Sequence, residues 1–135
     1  MLVNSVLTKD ATTRRPRVLV VEDDQSVSRM LRLSLSSAGF EITEMSTGGD
    51  ALRVLDSAEV DAVVLDLGLP DDLGGKLLGR LQGGAASPSP VWVAISALDP
   101  QEATSRYGPL EPHFMSKPFD PWDLARLIKG QLGIG

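Results

Sequence analysis

The chain has 135 residues, 42% of them hydrophobic and only 4% aromatic, which is enough for one domain with an aliphatic core. A formal net charge of −5 argues against direct contact with nucleic acid, whose phosphate backbone demands a basic face. Cysteine is absent, excluding disulfides and thiolate metal sites and suiting a reducing cytoplasm, and no apolar run approaches the roughly 20 residues that span a bilayer.

Residues 1–16 are polar, end in Arg14-Arg15-Pro16 and lack a signal-peptide core, so a flexible leader is expected there, with the domain proper over 17–135. Val18-Leu19-Val20-Val21 is continuously apolar and β-branched, as a strand buried on both faces must be. A helix follows, with Val27, Met30, Leu31, Leu35 and Ala38 on one stripe and Gly39 placed to end it. Residues 40–45 alternate apolar and polar as a second strand, and Thr47 can cap a helix that turns Ala51, Leu52 and Leu55 inward. Residues 60–67 form the third strand. The third helix, near 74–82, buries Leu77, Leu78 and Leu81 but carries three glycines, each costing about 1 kcal/mol relative to alanine, so it must lean on tertiary packing.

Residues 83–90 are small and uncharged, a connector into the fourth strand, Val91-Trp92-Val93-Ala94-Ile95, in which Trp92 is a core residue. Asp99-Pro100 starts a short fourth helix that Gly108-Pro109 stops. Residues 113–117 give the fifth strand, and Asp120-Pro121 opens a last helix ending near Leu132. Strands and helices alternate strictly, without internal repeat. Right-handed crossovers then yield an α/β domain, a single doubly wound five-stranded parallel sheet with helices on both faces.

Four of these runs end in chemistry. The first ends in Glu22-Asp23, the third in Asp66, the fourth in Ser96 and the fifth in Lys117. In an open parallel sheet such ends converge on one edge, and with strand order 2-1-3-4-5 the switch point lies between the first and third strands. Any one of these groups could be a cap or half of a salt bridge. Together on successive buried strands they describe a site. Three crowded carboxylates repel unless a cation sits among them, and hard oxygen ligands suit Mg²⁺. Asp66 is then either a ligand only or a nucleophile forming an acyl phosphate. Lys117 offers a point charge and Ser96 a hydroxyl to a phosphoryl oxygen.

These residues carry a resemblance. Val18-Leu19-Val20-Val21-Glu22-Asp23-Asp24, Val64-Leu65-Asp66-Leu67-Gly68-Leu69-Pro70 with Gly74, Ser96-Ala97 and Lys117-Pro118-Phe119 stand in the order and near the spacing of the response-regulator receiver domain. The chain resembles that family from about Arg17 to Leu132. The resemblance implies a flavodoxin-like fold and a signalling switch rather than an enzyme with its own substrate. Asp66 would be the phosphoacceptor, fed by a sensor histidine kinase, a phosphotransfer protein or a small acyl phosphate. Asp23, Asp66 and the Gly68 backbone carbonyl would ligate Mg²⁺, with Glu22 acting through a water, while Asp24 serves as a first-turn acid. Lys117 would neutralise the transferring group, aimed by a cis Lys117-Pro118 peptide. Ser96 and Phe114 would form the switch, with Phe114 rotating inward; Phe114 also reads as a plain core aromatic.

The resemblance places the output on the fourth helix, fifth strand and fifth helix, with Ser105, Arg106, His113, Met115 and Trp122 as candidate contacts. The partner there would be a downstream effector or an output domain, and the protein a monomer or a phosphorylation-dependent dimer. His113 itself reads as a surface histidine, and Tyr107 as a partly exposed helix end. Two departures bear on rate: Gly68 and Leu98 occupy positions where many relatives have polar side chains that position water, which predicts slow self-dephosphorylation. A phosphohydrolase of the haloacid-dehalogenase type would want an acid where Gly68 stands, and a flavin-binding domain would want a phosphate loop after the first strand. A receiver that signals by binding alone fits poorly with an intact set of site residues.

Overall fold

The computed structural model describes residues 14–71, 73–83 and 89–135. Its elements, in chain order, are β1 (Arg17–Val21), α1 (Gln25–Ser37), β2 (Glu41–Met45), α2 (Gly48–Ser57), β3 (Ala62–Asp66), α3 (Leu73–Gly83), β4 (Val91–Ser96), α4 (Pro100–Tyr107), β5 (Phe114–Ser116) and α5 (Pro121–Leu132). Each predicted element is present. The strands β2, β3 and β5 are each one or more residues shorter than expected, although backbone bonds such as Leu67 N to Ile95 O and Lys117 N to Ser96 O continue beyond β3 and β5.

All pairings are parallel, in the order β2-β1-β3-β4-β5, a flavodoxin-like arrangement. The two-residue period of a strand sends alternate side chains to opposite faces. Leu19, Val21, Val63, Leu65, Trp92, Ala94 and Phe114 therefore join Ala51, Leu77, Leu78, Leu81 and Ala103 from α2, α3 and α4. Val18, Val20, Ala62, Val64, Val93 and Ile95 meet Leu31 and Leu35 of α1 and Leu124, Ala125 and Ile128 of α5 on the other face. The central strands are apolar throughout because both faces are covered. The glycine-bearing α3 is held, as its composition requires, by buried Leu77, Leu78 and Leu81.

Local chemistry fixes the helix ends. Asp24 does not sit in the first turn of α1 but caps it, accepting from Ser26 N at 2.9 Å and Val27 N at 3.2 Å. Gly39 leaves α1 at φ 106°, a left-handed conformation that favours glycine. Asp99 and Asp120 cap α4 and α5 ahead of prolines in the first turn.

Of the expected leader, residues 1–13 lie outside the described residues. Arg14 pairs with Glu59 at 3.3 Å, Arg15 donates to Ser36 O at 2.8 Å and Gly39 O at 3.3 Å, and the Pro16 carbonyl accepts from Glu41 N at 2.9 Å. The domain's contacts thus reach back to Arg14, before the boundary expected at Arg17. Arg15 places a cation at the C-terminus of α1, whose own last turn has none. Of the connector expected over 83–90, Gly83 belongs to α3 and residues 84–88 lie outside the described residues. Among the described residues, no helix is long and apolar enough to cross a membrane.

Candidate functional site

Parallel register brings the polar strand ends to one edge. Val21 pairs with Leu65, so Glu22 and Asp23 follow β1 where Asp66 closes β3; Asp66 pairs with Ile95, and Ser96 with Ser116. One oxygen from each of Glu22, Asp23 and Asp66 lies within 4.8 Å of the others. Glu22 and Asp66 are buried, while Asp23 is exposed and opens the cluster to solvent. Lys117 Nζ lies 2.9 Å from Glu22 Oε2 and 3.5 Å from Asp66 Oδ2, so one ammonium serves both buried carboxylates.

The electrostatics follow from that crowding. Burial pushes the Glu22 carboxyl up to about 7, against the lowering effect of its hydrogen bond to Lys117 and with a further push from neighbouring Asp66. Burial pulls Lys117 down, but the hydrogen bond to Glu22 and the charges of Asp66 and Glu22 more than offset this, and it ends above its ordinary value. Two backbone amides add order: Asp24 N donates to Glu22 Oε1 at 3.1 Å and Gly68 N to Asp66 Oδ1 at 2.9 Å. The donor set is hard oxygen throughout, with more negative charge than one lysine balances. That chemistry fits a small divalent cation.

Ser96 is buried at the end of β4, and its Oγ accepts from Leu98 N at 3.0 Å; among the described residues it makes no hydrogen bond to Asp66. Lys117 N donates to Ser96 O at 2.7 Å, tying the two site strands together. The Lys117-Pro118 peptide is cis, as is Glu111-Pro112, which nothing in the sequence had singled out. Phe114 is 8% exposed and its ring lies in the core on the α2–α3–α4 face.

Several contacts leave no sign in the sequence. Tyr107 is half-buried, and its hydroxyl donates to the Leu67 carbonyl, just past Asp66, at 3.2 Å. Ser116 Oγ donates to the Leu98 carbonyl, holding the β4–α4 loop against β5. His113, expected at the surface, is partly buried: its ring stacks on Trp92 at 4.4 Å between centroids, and Nδ1 lies 3.0 Å from both the Trp92 carbonyl and Gln131 Nε2. A lone histidine in a polar stretch carries no sign of the tryptophan beneath it. Of the other candidate contacts, Ser105, Arg106 and Trp122 are exposed and Met115 is half-buried.

Comparison with known proteins agrees with this geometry. Residues 18–129 match the response regulator receiver domain family. The transcriptional regulatory protein KdpE of Mycobacterium tuberculosis is 35% identical over 102 residues, covering 76% of this chain and 44% of KdpE. The DNA-binding response regulator MtrA of Mycolicibacterium smegmatis is 30% identical over 120 residues, covering 89% of this chain and 52% of MtrA. The chain thus spans about half the length of the curated relatives it matches. Among solved structures, a response regulator receiver protein from Burkholderia phymatum aligns with a TM-score of 0.73 and 31% identity over 90% of this chain and 98% of that one. A structure described as a putative response regulator from Chloroflexus aurantiacus aligns with a TM-score of 0.79 and 26% identity, over 89% and 99% respectively. By sequence, by strand order and by the residues at its strand ends, the chain belongs to the response regulator receiver domain family of two-component signalling.

Proposed function

We propose that this domain accepts a phosphoryl group on Asp66 from the phosphohistidine of a sensor histidine kinase or phosphotransfer protein, with Mg²⁺ bound. The observation that carries the reading is one ammonium, Lys117, shared between buried Glu22 and Asp66 beside an exposed third carboxylate. Asp66, Asp23 and the Gly68 carbonyl would hold the cation directly and Glu22 through a water; the ion supplies charge neutralisation at the oxygens of the transferring group. An Asp66 carboxylate oxygen attacks phosphorus, the bond to the donor nitrogen breaks, and the electron pair leaves on the imidazole. Lys117 stabilises charge on the phosphoryl oxygens, and Ser96 turns its hydroxyl toward them, exchanging its bond from Leu98 N.

A group adding roughly −1.5 to −2 charge at Asp66 biases the β4–α4 loop through Ser96. The readout is the α4–β5–α5 face, where Trp122 stands half exposed for a downstream effector or an output domain. Phe114 is the aromatic member of that switch. The domain catalyses only its own phosphorylation and slow dephosphorylation, in a cytoplasmic setting, as a monomer or a phosphorylation-dependent dimer. Nucleic acid is not its direct partner, and transcriptional output of the kind that the relatives' names record belongs to an attached or separate effector.

Intact mass after incubation with acetyl phosphate and Mg²⁺ tests this. One labile phosphoryl is expected, absent from Asp66→Asn and from an EDTA control. An adduct that persists in Asp66→Asn overturns the assignment, as does a folded, Mg²⁺-bound protein that takes no phosphoryl from acetyl phosphate or from any histidine kinase offered.

A further inference from the structure

Asp71 lies in the loop after Asp66, yet its carboxylate serves a different helix. Oδ1 accepts from Gly48 N at 3.1 Å and Oδ2 from Gly49 N at 3.2 Å. These amides open α2, where no intrahelical carbonyl can satisfy them. The local cap, Thr47 Oγ1, takes only Asp50 N, at 3.1 Å. The α2 N-terminus therefore has one cap from its own chain segment and a second, charged and bidentate, from the β3–α3 loop.

The approach is close because Gly48 is buried and lacks a side chain: a Cβ there would lie 2.8 Å from the Leu73 carbonyl carbon and 3.0 Å from Gly74 N. The loop is pinned on its other side too. Leu67 N donates to Ile95 O at 2.9 Å, and the Leu67 carbonyl accepts from Tyr107. Gly68 thus lies between two anchors, Leu67 on one side and Asp71 on the other.

We propose that Asp71 is a positioning residue for cation binding, fixing the peptide that carries the Gly68 carbonyl by bolting its loop to α2. The proposal rests on the reading of Glu22, Asp23 and Asp66 as a Mg²⁺ site. Without Asp71, the loop beyond Leu67 is held, among the described residues, by the bond from Gly68 N to Asp66 Oδ1 and by the packing of Leu69 alone; the rest must be ordered when the cation binds, and that ordering subtracts from affinity.

The test is the Mg²⁺ dissociation constant of the unphosphorylated full chain by calorimetry, with urea midpoints measured alongside. Asp71→Ala is expected to weaken binding about tenfold, the lower end of what outer-shell partners of metal ligands contribute. Asp71→Asn loses the same charge but keeps one acceptor oxygen, and its loss is expected to be clearly smaller. Thr47→Ala removes the other cap of the same helix end; it lowers the urea midpoint and leaves Mg²⁺ affinity unchanged. Should Asp71→Ala not fold, Asp71→Ser takes its place with the same expectation. Equal weakening in the alanine and asparagine variants makes the effect one of charge and overturns the proposal. So does weakening in Thr47→Ala that matches Asp71→Ala, or an Asp71→Ala constant within twofold of wild type. Wild-type protein that takes up no Mg²⁺ overturns the metal reading and this one together, whereas the preceding outcomes overturn this one alone.

Discussion

Replacing Glu22 by glutamine is expected to abolish a pH dependence that the metal-free domain carries against the usual direction for an acid. Most carboxylates in folded proteins are helped by their surroundings and stabilise the fold as pH rises. Glu22 is buried with Asp66 beside it, and its carboxyl is raised from 4.5 to about 7. Between those values the folded protein keeps a proton that the unfolded chain has released, so stability falls as pH rises through the interval and levels off above 7. At 1.36 kcal/mol per unit, the full interval corresponds to at most about 3 kcal/mol.

Glutamine imitates the protonated carboxyl at every pH. Wild type and Glu22→Gln should therefore converge near pH 4.5 in EDTA, with the variant the more stable by up to about 3 kcal/mol at pH 8. Urea unfolding at half-unit steps across that range measures the gap, and taking the difference cancels groups that titrate alike in both proteins. Lys117, held above its ordinary value, keeps its proton throughout the window. Saturating Mg²⁺ should then narrow the gap at pH 8, because a cation that prefers the charged carboxylate stabilises wild type more than the variant. A gap that stays constant with pH, or wild type gaining on the variant as pH rises, would refute the claim that burial dominates at Glu22.

Three further expectations follow from single contacts. The double variant Gly68→Asn, Leu98→Glu should shorten the phosphoryl half-life on the order of tenfold, a fraction of what positioned acid–base groups supply, followed by loss of the mass adduct; a Cβ at Gly68 would sit 3.4 Å from Asp66 Oδ1, an ordinary van der Waals contact. Equal half-lives would remove Gly68 and Leu98 as the cause of slow turnover. Gly48→Ala should cost about 1–3 kcal/mol in urea, because the new methyl meets backbone at Leu73 and Gly74 rather than a side chain that can turn away. Tyr107→Phe should cost about 1 kcal/mol by the same assay through the lost bond to the Leu67 carbonyl, and an unchanged midpoint would show that water replaces the phenol there.

The parts of this domain that could be read in advance are those where local pattern and tertiary demand coincide. A strand covered on both faces must be apolar throughout, so β1, β3 and β4 announce themselves, and a charged residue at the end of such a run has no packing reason to be there. That logic placed Glu22, Asp66, Ser96 and Lys117 on one edge without coordinates, and parallel register does bring Glu22, Asp66 and Lys117 within ion-pairing distance. Asp71 shows where the logic stops. Along the chain it is an acid after a proline, indistinguishable from any turn residue; its two acceptors meet amides of a helix that begins before β3, and only the packing of α2 against α3 brings them there. His113 is illegible for a related reason, since its stacking partner Trp92 lies on the neighbouring strand β4, 21 residues away along the chain. Phe114 differs from both. Its residue type fits a core aromatic and a switch equally, and which it is depends on whether an outward conformation lies within reach once Ser96 moves. The ring lies inside in this structure, so a switch role for Phe114 requires a phosphoryl on Asp66 to favour this conformation over an outward one of the unphosphorylated domain.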